Sequence, residues 1–199
     1  HVSTRDGIDV IRKAKKEGVK ITCDTAPPYF ALNEKELLSY NTAFKLSPPL
    51  RCENDRLAII EGIQDGTIDA IASDHRSRSK DTKIETFSAA SIGASGIETL
   101  FLLTLELVNK KIINLNKAIS LLTSNPANIL NLDKNTIEKN QKATFIIFDE
   151  NAKGHIDKNQ LKTSPTPFHG RKTFGRVLGT FINGHNAYLH KDFKEKLKK

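Results

Sequence analysis

His1, the Pro27-Pro28 pair, Ser47 and the Asp74-His75 pair are the positions of this chain that bear most on chemistry. His1 opens the sequence given, and each of the others stands where a stretch of apolar or strand-forming residues gives way to a loop. Imidazole and carboxylate are side chains that enzymes use to move protons. In a βα barrel such groups gather at the C-terminal ends of the strands, because the loops there are free to vary. Polar turns draw on the same residue types, and each position taken singly fits either reading. The two cysteines, Cys23 and Cys52, match neither a zinc-finger nor a disulfide spacing. They read as free structural thiols in a reducing compartment.

The elements needed to position these groups alternate along the first two thirds of the chain. Residues 7–17 carry apolar side chains at helical spacing and stop at Gly18. VKITCD (19–24) then reads as a strand, cut by the breaker TAPP. A short helix over 34–40 and a strand TAFKL over 42–46 lead to Ser47-Pro48-Pro49. Residues 54–65 read as a helix, and IDAIAS (68–73) as a buried strand delivering Asp74. A polar loop fills 76–95, followed by helices at about 97–109 and 116–123 and a short helix and turn at SNPANILNL. Strands alternating with helices predict an α/β fold around a parallel sheet. The texture then changes: 143–150 and 175–190 read as strands, with Asn183-Gly184 as a hairpin turn. The expected division is a partial barrel over 1–138 and a small β appendage with a C-terminal tail over 139–199.

Composition narrows the function classes. Hydrophobic residues at 38% and charged residues at 27% suit a soluble globular chain. No apolar run nears the roughly 18 residues of a membrane helix, and the opening HVSTRDG has no signal-peptide pattern. The formal charge is +8, but the lysines are mixed with acids and lack interleaved aromatics. That is a solvated basic surface rather than a nucleic-acid platform. The chain holds no methionine and starts at His1, which reads as a fragment of a longer polypeptide. The expected location is the cytoplasm.

Several motifs follow one another in a fixed order: HVST (1–4), SPPLR (47–51), DGTIDAIASDH (65–75), SGIETL (95–100), TSNPANIL (123–130) and TPFHGR (166–171). ATFIIFDE (143–150) fits the same series. Together they resemble the C-terminal half of a dihydroorotase of the cyclic amidohydrolase superfamily, with TAPPYF similar to an alphaproteobacterial branch. Hydantoinases and allantoinases fit SPPLR and TPFHGR less well. The resemblance implies the C-terminal part of a metal-dependent-hydrolase TIM barrel followed by a β appendage. It implies reversible cyclisation of N-carbamoyl-aspartate to dihydroorotate in pyrimidine synthesis. It also implies zinc, which activates a water and polarises the amide carbonyl.

Carried over residue by residue, the resemblance makes His1 a zinc ligand after strand five. Asp74 becomes the ligand after strand eight and the general base, with His75 orienting the site. Pro28 stands where the family has its second histidine ligand. Proline offers no donor atom, and Tyr29 beside it is expected to turn its ring elsewhere. Arg78 falls at the substrate-carboxylate position and Ser47 where many members hold an asparagine against the substrate ring. Arg51 is expected to pair structurally with a carboxylate. The family's HxH pair precedes the region given, so His1 and Asp74 are the matched ligands, too few for a stable zinc site. Two functions follow: an impaired dihydroorotase, or a non-catalytic remnant acting as an assembly partner. Half a barrel leaves an apolar strand edge, so a homo-oligomer or a complementing N-terminal half is the expected partner.

Overall fold

The computed structural model describes residues 1–133, 136–163 and 165–196. Helix α1 (Arg5–Lys16) begins at Thr4, whose Oγ1 accepts the Gly7 N–H at 3.2 Å. It ends just before Gly18, as its sequence predicts. Strand β1 (Asp24–Thr25) lies parallel to β2 (Ala70–Ile71), with Asp24 opposite Ala70 and Thr25 opposite Ile71. Helix α3 (Glu53–Asp65) lies on the crossover between them, which is the βαβ logic expected of the chain. On the far side of β1, Val2 N–H donates to the Asp24 carbonyl at 2.8 Å. Beyond β2, His75 bridges Ala94, again in parallel.

Two strands of two residues each cannot hold themselves together. Their few backbone hydrogen bonds are worth roughly 0.5–1.5 kcal/mol apiece. By contrast Ile8 of α1, Ile59 and Ile63 of α3, Ile68 and Ile71 are all buried in one cluster. Each such side chain contributes about 1.5–3 kcal/mol. The helices therefore fix the sheet, and the sheet's ends take their positions from helix packing. Helices α4 (Leu100–Asn109), α5 (Leu115–Leu122) and α6 (Ser124–Ile129) extend the same layer, and Leu103 and Leu121 join the cluster.

Three local expectations are corrected. Pro27 in the supposed breaker opens helix α2 (Pro27–Ala31). A proline at the first helical position loses nothing, because its missing N–H would have no intrahelical partner. TAFKL is not a strand: Thr42–Phe44 form one 3₁₀ turn, because Asn41 Oδ1 captures the Ala43 N–H at 3.0 Å. Residues Glu34–Ser39 are likewise a 3₁₀ turn, headed by Asn33.

The last third is an antiparallel sheet in the order β3 (Phe145–His155), β4 (Lys172–Ile182), β5 (His185–Leu189). The predicted Asn183-Gly184 turn is present with φ of +52° and +87°, the pair of left-handed residues that a two-residue hairpin needs. A short helix α7 (Lys191–Lys196) follows. This sheet is tied to the helical layer by Arg171. Its guanidinium grips Glu106 of α4 at 2.8 and 2.9 Å and donates to the Ala31 carbonyl of α2 at 3.2 Å.

Candidate functional site

Asp74 leaves β2 in a left-handed backbone conformation, φ +46°, uncommon for a residue with a side chain. The neighbouring chain is held tightly. A Cβ on Gly96 would stand 2.2 Å from the Ser73 carbonyl, so only glycine allows segment 94–96 to close on 73–75. His75 completes this closure. Its Nδ1 accepts the N–H groups of Gly96 and Ile97, each at 3.3 Å.

Around Asp74 the structure assembles four side chains in one series. Tyr29 Oη donates to Asp74 Oδ2 at 2.9 Å, and His1 Nε2 lies 3.5 Å from Asp74 Oδ1. His1 Nδ1 lies 2.9 Å from Asp24 Oδ1 on the other side of the ring. The Asp74 carboxylate, offset by burial and then helped by Asp24, holds the His1 imidazole up at about 8. Burial, followed by the Asp74 charge, pushes the Tyr29 hydroxyl well above its ordinary value. Tyr29 Oη is also 3.1 Å from the Pro48 carbonyl, on the segment that follows Ser47.

The structure sets His1 within 3.5 Å of Asp74, and Tyr29, expected to turn elsewhere, reaches Asp74 as well. Its ring does not turn elsewhere. Residues 27–31 are helical, so consecutive side chains lie about 100° apart instead of on opposite faces. Pro28 itself is buried in α2 and presents no donor. Asp24 was missed. Its signal was its rank, since it closes a predicted strand exactly as Asp74 follows one. Ser47 and Arg78 are exposed, and Arg78 Nε donates to the Ile92 carbonyl at 2.9 Å, tying the guanidinium to its own loop.

A zinc ion does not fit the donors of this chain as they stand. Both nitrogens of His1 face carboxylates, and one oxygen of Asp74 is taken by Tyr29. Among the described residues no three His, Cys, Asp or Glu side chains group as metal ligands. A catalytic zinc takes three protein ligands.

Residues 1–187 match the amidohydrolase family over nearly the whole chain. The chain belongs to the amidohydrolase family. Among curated relatives, the dihydroorotase of Anaplasma phagocytophilum is 42% identical over 190 residues, 94% of this chain and 42% of that protein. The dihydroorotase of Desulforapulum autotrophicum is 40% identical, over 94% of this chain and 44% of the relative. The chain therefore spans less than half the length of these dihydroorotases. Among solved structures, the L-hydantoinase of Arthrobacter aurescens superposes with a TM-score of 0.87 at 25% identity, over 95% of this chain and 44% of its own. An inactive dihydroorotase-like domain of a Chaetomium thermophilum CAD-like multifunctional protein superposes at 0.69 and 18% identity, over 94% and 50%. That last likeness concerns the fold alone. Within this amidohydrolase the Asp74 series is what stands at the strand ends, and no described helix is long and apolar enough to cross a membrane.

Proposed function

We propose that this chain is a dihydroorotase-like cyclic amidohydrolase by descent, with dihydroorotate and N-carbamoyl-aspartate as the ancestral substrate pair, and that its own centre is catalytically impaired. Its fold then corresponds to the C-terminal part of a TIM barrel carrying a β appendage. The identity to dihydroorotases supports the descent. One observation carries the impairment: Tyr29, and not a histidine from α2, reaches Asp74.

The residues present can still do part of the work. Asp74 is a proton acceptor at the strand end, aligned by Tyr29 and flanked by His1, which Asp24 orients through the opposite nitrogen. His75 stabilises the loop that shapes the site's rim. Activation of water by a Lewis acid would have to come from a donor set more complete than this one. A non-catalytic role as an assembly partner is the second reading, favoured by Pro28. Val2 pairs with β1 on one side, and a complementing N-terminal segment would continue the sheet from that edge. The proposed compartment is the cytoplasm.

The test is dihydroorotate ring opening by the purified chain with added zinc, beside Pro28→His and Asp74→Ala. We expect no turnover by the unmodified chain. Turnover that Asp74→Ala abolishes would overturn the impairment.

A further inference from the structure

A second polar region lies away from the Asp74 series. Lys80, Lys158, Lys162, His169, Asn41 and Asn159 line an open cleft of about 600 Å³, within the size range of small-molecule sites. They come from the loop after β2, the turn at 42–44 and the segments that lead from β3 into β4. None of His1, Asp24, Tyr29 or Asp74 lines it.

The lining is built of donors. His169 Nδ1 accepts the Lys158 backbone N–H at 3.2 Å, which fixes the proton of the neutral ring on Nε2. Asn41 spends its carbonyl oxygen on the Ala43 N–H at 3.0 Å, leaving its NH₂ as the free end. Among the described residues no aspartate or glutamate lines the cleft. Two acids stand near the cleft without lining it: Glu98 accepts the N–H groups of Lys162 and Thr163 at 3.0 Å each and partly offsets the Lys162 charge. Asp157 accepts the Asn159 N–H at 2.9 Å.

Further cations stand beyond the cleft's edge. Thr42, next to the cleft's Asn41 and Ala43, donates its hydroxyl to the Lys83 carbonyl at 2.5 Å. Lys83 is buried, and burial together with Lys45 and Arg78 depresses its ammonium to about 8. An anion bound among several ammonium groups gains from all of them at once. The donor types favour one anion class. Among the described residues no arginine lines the cleft, so recognition there falls to ammonium point charges instead of a bidentate fork. Separate ammonium groups with single N–H donors suit the several oxygens of a phosphate.

We propose that this cleft binds a phosphate-bearing small molecule, with Lys80, Lys158, Lys162 and His169 contacting the phosphoryl oxygens. The inference stands apart from the amidohydrolase reading and survives its failure. The test is isothermal titration of the full chain with sodium pyrophosphate at low salt, repeated with inorganic phosphate. Expected is saturable binding that Lys158→Ala/Lys162→Ala weakens by roughly tenfold or more, as loss of charge-assisted contacts should. Lys16→Ala/Lys20→Ala, which removes the same charge from an exposed surface elsewhere, should leave it unchanged. His169→Ala is the second variant should the double substitution melt early. Phosphate binding as tightly as pyrophosphate would assign the site to a single phosphoryl group; tighter pyrophosphate would assign it to a diphosphate. Absent saturation, or equal weakening by Lys16→Ala/Lys20→Ala, would overturn the proposal and leave only diffuse attraction by a chain of net charge +8.

Discussion

The Asp74 rim and the lysine cleft handle charge in opposite ways. At the rim every acid has a counter-group: Asp24 meets His1, His1 meets Asp74, and Asp74 meets Tyr29. In the cleft, three lysines line the wall with no carboxylate among the described lining residues. The rim is satisfied internally, so any ligand there must first displace a hydrogen bond that already exists. The cleft leaves its donors facing outward. A family resemblance directs attention to the rim, yet the physics of unmet charge directs it to the cleft.

The backbone of the rim is where the two regions differ most in tolerance. Gly96→Ala should be the largest effect, because the new Cβ has no room beside the Ser73 carbonyl. We expect a loss of about 3 kcal/mol or more in urea unfolding. Unchanged stability would show that the closure of 94–96 on 73–75 is loose. Tyr29→Phe should come next, at about 1–2 kcal/mol, since it leaves one oxygen of Asp74 without its donor. The same variant should leave pyrophosphate binding at the cleft untouched. A joint loss would mean the two regions are coupled.

The smallest effect belongs to Lys83 and depends on pH. Its folded value of about 8 lies below the ordinary 10.5, so the fold favours the neutral amine. Its contribution is fully favourable above about 10.5 and is lost as pH falls through about 8. Lys83→Met should therefore raise the melting temperature at pH 7 by a few degrees at most and flatten the stability profile between pH 8 and 10.5. A lower melting temperature at pH 7 would mean that the Lys83 hydrogen bond to the Ser91 carbonyl outweighs the cost of burial.

Much of the fold was legible in the sequence because periodicity reports burial. The helix over 54–65 and the Asn183-Gly184 hairpin needed nothing beyond apolar spacing and a turn that only left-handed residues fill. TAFKL misled because its alternation looks like a strand, while the Asn41 side chain locally outcompetes a ladder. At the rim, His1 and Asp74 were readable from their motifs. Asp24 carried only the signal of a strand end, and Tyr29 none, since α2 must first turn its ring inward. The cleft was unreadable for a similar reason: its lining comes from residues 41 to 169, too far apart for any spacing rule.

The proposal that most needs a test is that this chain's own centre, with Pro28 in α2 and Tyr29 on Asp74, holds no metal. Zinc retained per chain after dialysis against metal-free buffer tests it most directly, for the unmodified protein and for Pro28→His. Essentially none is expected in the first, and at least a tenfold gain in zinc affinity when a histidine stands at position 28. About one zinc retained by the unmodified chain, lost on Asp74→Ala, would contradict it.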